Sequence, residues 1–242
     1  MDEYGKEQVE FARFLAQIGH EIRTPLNAIK GFGDLLAEEQ VGPLNAIQKK
    51  YLLKIKDSAQ QLLQVTNQIL DWAKLESNQI KLERQAVNLS TVAREVGSLL
   101  ELRMREKRIQ YQVEQADWAN VYGDWGRLRE VLINLVSNSI KFSDTGGSIE
   151  VRFIRREAQV VTCVTDHGCG MSEERLARLF EPFSKGANRP GEEPNTGLGL
   201  WICRSMVELH GGYIWVNSRL GEGTSVFFIL PCADKNGKRE GA

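Results

Sequence analysis

No apolar run in the chain approaches the ~18–20 residues that a bilayer-spanning helix needs. The N-terminus, M-D-E-Y-G-K-E, lacks the apolar core of a secretory leader. There is no C-x-x-C pair: Cys163, Cys169, Cys203 and Cys232 are scattered, and the three histidines stand far apart. These absences exclude a zinc or disulfide framework and fit a reducing cytosol. Charge of one sign is also missing, with 31 Lys and Arg against 32 Asp and Glu and a formal net charge of −1. That balance argues against nucleic acid as a partner, which usually selects a basic excess or patch. The 242 residues, 42% hydrophobic and 26% charged, suffice for one large or two small domains, each with its own core. The expected location is cytoplasmic, with no direct insertion in a membrane.

The first third reads as two long helices. Phe11, Phe14, Ile18, Ile22, Ile29, Phe32 and Leu36 recur at three- and four-residue steps over residues 5 to about 38, the mark of one apolar stripe. His20 lies two residues from both Ile18 and Ile22, about 200° around the helix from each, and so is expected to face solvent. A solvent-facing histidine beside Glu21 is either a nucleophile or an ordinary surface histidine. Pro25 removes its own N–H and crowds the Glu21 carbonyl, so the helix should kink or loosen one turn after His20. Gly42 and Pro43 mark a turn. A second helix follows from about Ala46 to Glu76, with Ile47, Tyr51, Ile55, Ala59, Leu62, Thr66, Ile69 and Ala73 on one face. The two form an antiparallel hairpin. Leu52, Leu53, Leu63 and Leu70 widen the stripe beyond what one partner helix covers. A homodimer through residues 5–77, closing a four-helix bundle, would bury the excess.

From residue 80 the pattern changes. Helical periods are expected over Leu89–Arg108, Asp124–Phe142, Ser172–Phe180 and Leu198–Leu209. Strands are expected within 111–117 and 120–124, and at Ser148–Arg155, Val160–Asp166, Tyr213–Asn217 and Thr224–Leu230, with a polar loop at Ser184–Asn195. Helices and mostly antiparallel strands mix without a βαβ rhythm, which points to an α+β sandwich. The final ten residues, A-D-K-N-G-K-R-E-G-A, are expected to be disordered.

Three glycine-rich segments carry candidate chemistry. D-H-G-C-G (Asp166–Gly170) follows a strand, T-G-L-G-L (Thr196–Leu200) precedes a helix, and G-E-G-T (Gly221–Thr224) lies between strands. Glycine lets backbone N–H groups approach a phosphate, and a helix N-terminus adds positive potential; glycines also simply make turns. Asp166, at a strand end, can accept a hydrogen bond from an exocyclic amine such as that of adenine. Asn134, Asn138 and Lys141 share one face of an otherwise apolar helix. Two amide oxygens and an ammonium suit Mg²⁺ and a triphosphate, whereas the bland alternative is a solvated polar stripe.

Taken together, these residues resemble the sensor histidine kinases of two-component signalling, over about Phe11 to Pro231. The family's phosphoacceptor box is matched by F-L-A-Q-I-G-H-E-I-R-T-P-L (Phe14–Leu26), with Gly19 where serine is usual. The asparagine box is N-L-V-S-N-S-I-K-F (Asn134–Phe142), the phenylalanine box is L-F-E-P-F (Leu179–Phe183), and the three glycine boxes keep the family's order. The resemblance implies a dimerisation and histidine-phosphotransfer hairpin over 5–78, a linker over 79–88, and a catalytic ATP-binding domain over 89–232. That domain would be a GHKL-type α/β sandwich with a mixed sheet, followed by a disordered tail over 233–242.

It further implies an ATP-dependent protein-histidine kinase that phosphorylates His20 and passes the phosphoryl group to an aspartate of a response-regulator receiver domain. Glu21 would be the general base at the imidazole, Arg23 would neutralise transferring charge or else pair with Glu21, and Thr24 would serve a phosphatase activity toward the regulator. Asn134 would hold Mg²⁺, and Asn138 and Lys141 would face the ATP phosphates. Phe142 would lie near the adenine, whose amino group Asp166 would take, with Gly168 and Gly170 giving it room. Residues 184–195 would form a lid hinged by Gly197 and Gly199. Thr196, Leu198, Leu200, Gly221, Gly223 and Thr224 would complete the nucleotide-binding boxes. Lys185 stands where arginine is frequent, Glu130 replaces a common glutamine, Ser139 a common alanine and Asn195 a glycine. The alternatives are a core acting mainly as a regulator phosphatase and a non-kinase GHKL ATPase. An upstream sensor domain is expected outside this chain, which would then be the cytoplasmic part of a longer, membrane-bound sensor.

Overall fold

The computed structural model describes residues 3–40, 42–77, 80–184 and 196–234, apart from the side chains of residues 3–14, 16, 20 and 76. It divides into two compact units, Met1–Ile80 and Lys81–Ala242.

The first unit is a hairpin of α1 (Glu3–Ala37) and α2 (Ala46–Glu76). Helix α1 continues through Pro25. Asn45 starts α2 with a reciprocal capping box: its side chain accepts from the Gln48 N–H, and the Gln48 side chain accepts from the Asn45 N–H. Ion pairs Asp34–Lys56 and Glu39–Lys49, both at 2.6 Å, close the turn end of the antiparallel pair. The buried seam comprises Leu26, Ala59 and Leu63, with Ile22 packed against them. Of the α2 face expected from the sequence, Ala59, Thr66 and Ala73 are buried, but the rest of it is not. Leu52, Leu63, Leu70 and Ala73 are buried, whereas Ile47, Tyr51, Ile55 and Leu62 stand exposed. Both rows repeat at helical spacing, and periodicity alone does not say which one meets α1. On α1 the seam runs through Gly19 and Gly33, both buried, whose missing side chains admit Leu70 and the Lys56 stem. Ile29 and Phe32 of the expected stripe are exposed instead.

The second unit begins earlier than expected. Gln85–Asn88, within the supposed linker, forms β1 and pairs antiparallel with β3 (Asn120–Gly123), because Val87 is buried while its neighbours are not. The main sheet has the order β2-β4-β5-β7-β6, from β2 (Gln110–Val113), β4 (Ser148–Arg156), β5 (Gln159–Asp166), β6 (Tyr213–Arg219) and β7 (Gly223–Pro231). Only β2–β4 is parallel, so the sheet is mixed. Helices α3 (Leu89–Glu106), α4 (Trp125–Phe142) and α6 (Gly199–Leu209) pack on one face, and the short α5 (Glu173–Ala177) follows β5. Alternate strand residues Ile149, Val151, Val160, Val164, Phe228 and Leu230 meet Leu128, Leu132, Leu135, Val92, Val96 and Met206 in a closed core. Helix α5 starts one residue later than expected because Ser172 serves as its cap, and it ends at Ala177, three residues before Phe180, with Arg178 as its C-cap.

Two polar groups tie α4 in place. His210 is buried; its Nε2 accepts from the Asp124 N–H at 2.9 Å and its Nδ1 meets the Met206 carbonyl at 2.7 Å. A ring that accepts at Nε2 and donates at Nδ1 is neutral. At the other end, the Lys107 ammonium donates to the carbonyls of Ile140 and Lys141 (both 2.8 Å) and Ser143 (3.2 Å), closing the helix C-terminus. The chain stays ordered past residue 232, where the tail was expected to begin: the Ala233 N–H donates to the Asn120 carbonyl at 3.0 Å. The remaining tail, 235–242, and the lid expectation for 185–195 lie outside the described residues. No described helix is long and apolar enough to cross a membrane.

Candidate functional site

Each unit carries one cluster of the residues singled out above. On α1, His20 sits in helical backbone and its side chain lies outside the described residues. Glu21 is exposed beside it and accepts from the Gln17 amide at 3.3 Å. Arg23 does not pair with Glu21: its guanidinium reaches across the hairpin and donates to Asn67 Oδ1 at 2.9 Å. The reason is geometric, since residues two apart on a helix point to different sides. Thr24 is exposed one turn after His20.

In the second unit α4 carries half-buried Asn134, Asn138, Lys141 and Phe142. The Asn134 amide nitrogen donates to the Glu130 carbonyl at 3.2 Å. That bond turns the amide so that its oxygen remains an acceptor, the kind of hard donor that Mg²⁺ takes. Lys141 and Arg175 lie over the Phe142 ring, at 5.8 Å and 5.0 Å from its centroid, within cation–π range.

Asp166 ends β5 opposite Thr224 of β7 and is buried. Burial pushes its carboxyl above the ordinary carboxylate range, opposed by hydrogen bonds from the Gly168 N–H, the Ser139 hydroxyl and the Thr224 N–H and by the nearby His167. The Gly168 N–H lies 3.1 Å from Oδ1. The loop after Asp166 needs its glycines for different reasons. A Cβ at Gly168 would collide with the Phe142 carbonyl, and Gly170 has φ +64° with the Arg219 carbonyl against it. The first and third glycine boxes are thereby locked together. The Gly221 N–H donates to the Cys169 carbonyl at 2.8 Å. The Ser218 hydroxyl, which accepts from the Met171 N–H, lies 2.7 Å from the Gly223 carbonyl. Asp166, Gly168, Gly170, Phe142, Gly221, Gly223 and Thr224 therefore form one cluster.

The second glycine box is tied elsewhere. Gly197 packs on the backbone of Phe183 and Ser184, Leu198 is fully buried, and the Leu198 N–H donates to the Thr196 hydroxyl at 3.3 Å. Gly199 and Leu200 open α6, whose N-terminus has no side-chain cap. Such an end leaves N–H groups for an anion. Lys185 lies outside the described residues. Ser139, Lys107 and Thr224's backbone are contacts that periodicity could not single out, because each is made across elements. Ser139 stood out only as a departure from alanine.

Two family descriptions match. "His Kinase A (phospho-acceptor) domain" covers residues 12–78, and "Histidine kinase-, DNA gyrase B-, and HSP90-like ATPase" covers 123–234. Histidine protein kinase DivJ of Caulobacter vibrioides is 35% identical over 221 residues, which are 91% of this chain and 37% of that protein. The non-motile and phage-resistance protein of the same organism is 36% identical over 91% of this chain and 27% of its own length. The chain thus spans roughly a quarter to two fifths of these curated relatives. Among solved structures, full-length ShkA in complex with AMPPNP superposes with a TM-score of 0.74 at 30% identity, over 93% of this chain and 47% of ShkA. The catalytic domain of histidine kinase ThkA gives 0.53 at 33% identity, over 62% of this chain and 95% of that domain. ThkA in complex with response regulator protein TrrA gives 0.63 at 30%, over 94% of this chain and 64% of that one. The asparagine and glycine boxes around Asp166, the helical hairpin bearing His20 and these matches agree: the chain belongs to the histidine kinase family.

Proposed function

We propose that this chain is the catalytic core of a two-component sensor kinase, in which ATP phosphorylates His20 and the phosphoryl group passes to an aspartate of a response-regulator receiver domain. The observation that carries the reading is the Asp166 cluster: a buried carboxylate with an open acceptor position, bordered by glycines that leave no room for side chains. It suits an adenine amino group. The phosphoacceptor match over 12–78 supplies a receiving histidine. The AMPPNP complex of ShkA and the TrrA complex of ThkA, proteins similar to this chain, support the nucleotide and the partner.

In this reading the hairpin domain spans 5–78 and the catalytic domain follows to residue 234. Asn138, Lys141 and the α6 N-terminus at Thr196–Leu200 bind the phosphates, with Lys185 and the lid completing the enclosure. Asn134 is the protein ligand for Mg²⁺, which when bound offsets phosphate charge. Glu21 draws the Nδ1 proton of His20, leaving Nε2 to attack. Arg23, held by Asn67, braces the hairpin beside His20. Glu21 and Thr24, both exposed, serve regulator dephosphorylation. The chain works as a homodimer through 5–77, on the cytoplasmic side, downstream of a sensor domain. The exposed row of Phe32, Ile47, Tyr51 and Ile55 supports the dimer.

The test is incubation with γ-labelled ATP and Mg²⁺. The expected label is acid-labile, alkali-stable and absent in His20→Gln. Wild type that takes no label contradicts the kinase reading, and hydrolysis without label favours a non-kinase ATPase. Dephosphorylation of a phosphorylated regulator that persists undiminished in Thr24→Ala removes the phosphatase assignment.

A further inference from the structure

Arg23 and Asn67 are joined across the hairpin by one hydrogen bond, the guanidinium donating to Asn67 Oδ1 at 2.9 Å. Both side chains are exposed, so burial does not force them together. On α1, Gly19 and Leu26 are buried and Ile22 is half-buried in the seam that faces α2. At about 100° per residue, positions 23 and 20 follow that seam on the same side of α1, about 70° and about 130° from its middle. Arg23 thus stands between α2 and position 20. Positions three apart on a helix are neighbours, with about 5–6 Å between their Cβ atoms. The acceptor on α2 keeps the long Arg23 side chain on that flank instead of free in solvent.

The kind of acceptor matters as much as its place. An amide oxygen is neutral and leaves the guanidinium charge whole, whereas a carboxylate would offset it. A guanidinium carries about five N–H donors in a planar fork; one is given to Asn67 and the rest stay available. Among the described residues no carboxylate pairs with Arg23. Glu21, its neighbour in sequence, bonds to the Gln17 amide at 3.3 Å.

We propose that Asn67 is a positioning residue for phosphoryl transfer, which holds the Arg23 guanidinium beside position 20 as an uncompensated cation for the phosphoryl group on the His20 ring. The inference rests on the reading of His20 as the phosphorylated residue. In that step the N–P bond forms at the ring, the bond from the γ-phosphorus to the ADP oxygen breaks, and the ring proton goes to Glu21. The product is an anionic phosphoryl group on a helix surface, and charge-assisted N–H donors from a planar fork stabilise it. Asn67 acts on it through Arg23. A pair that only braced the hairpin would be served as well by aspartate at position 67; a pair that presents a whole charge would not.

The experiment follows the phosphorylation equilibrium of the full chain, read as acid-labile label at a series of ATP to ADP ratios with Mg²⁺. It compares wild type, Asn67→Ala and Asn67→Asp, each with and without Arg23→Gln. Asn67 is exposed within α2 and alanine is the best helix former, so the alanine variant folds. The equilibrium constant should fall about fivefold in Asn67→Ala, with no further effect of Asn67→Ala once Arg23→Gln is present. Asn67→Asp keeps the hydrogen bond, and with it the thermal stability of the hairpin, yet should lower the constant as far as alanine does. An unchanged constant in Asn67→Ala, an equal loss with and without Arg23→Gln, or an Asn67→Asp variant phosphorylated as fully as wild type would each overturn the proposal. A wild type that takes no label removes the kinase reading and this inference with it, whereas a labelled wild type beside a silent Asn67→Ala removes this inference alone.

Discussion

The hairpin and the ATPase unit differ in where their apolar side chains end up. In the hairpin Phe32, Ile47 and Tyr51 are 68%, 66% and 61% exposed, while the buried seam is built of Leu, Ala and glycine positions. In the ATPase unit Phe228, Leu89 and Leu128 are fully buried. A sheet covered by three helices closes its own core. Two helices have only one mutual face, and whatever row lies beside it waits for another surface. Stability is therefore a property of one chain in the second unit, whereas in the first, under the dimer proposed above, it should depend on concentration.

That contrast can be broken from either side. The largest effect is expected inside the ATPase core. Phe228→Ala should cost about 3–5 kcal/mol in urea unfolding and leave the oligomeric state unchanged in light scattering. Next, a charge on the exposed row, Tyr51→Asp or Phe32→Asp, should weaken self-association by tenfold or more, at about 1.5–3 kcal/mol per large apolar side chain left in water. Sedimentation would read this, and ATP affinity should not change. A smaller effect is expected from Lys107→Met, which keeps the stem but strips the carbonyls of Ile140, Lys141 and Ser143 of their donor. A loss of about 1–2 kcal/mol should appear in thermal unfolding of the ATPase unit alone. Smallest is the pH response of His210.

For His210 the sign follows from its surroundings. Burial holds its folded pKa below the ordinary histidine value, although the Met206 carbonyl pulls the other way. The neutral ring is the one that accepts from Asp124. The stabilisation is therefore complete above the unfolded value, about 6.5, and is lost as pH falls below it. The melting temperature of the ATPase unit should decline by a few degrees from pH 7 to pH 5, and this decline should be absent in His210→Gln.

Much of the fold was legible because its signals are local. The apolar periods placed the starts of α2, α3 and α4 within a residue of where the structure has them, each preceded by a capping residue, Asn45, Asn88 or Asp124. The strand at Ser148–Arg156 and the end of β5 at Asp166 follow from alternation and flanking glycines. Other features were not legible because they are choices between equivalent partners. Either apolar row of α2 could have met α1, and the glycines at 19 and 33 decided it by letting Leu70 and Lys56 approach. Val87 read as linker because a four-residue strand has too few alternations to register. Arg23 had Glu21 near in sequence, yet Asn67 lies nearer in space.

The sequence by itself determined the order of the boxes, the helix starts and the residue types able to bind a nucleotide and receive a phosphoryl group. These depend on neighbours a few positions away. Only the tertiary structure decided that Asp166 is buried with the Gly168 N–H on its carboxylate, and that the first and third glycine boxes form one wall while the second sits against the phenylalanine box. Those are contacts between elements distant in the chain. Hydrogen-bond geometry has no periodicity to read in advance, because it arises only when the β5 end, the β6–β7 turn and α4 are packed together.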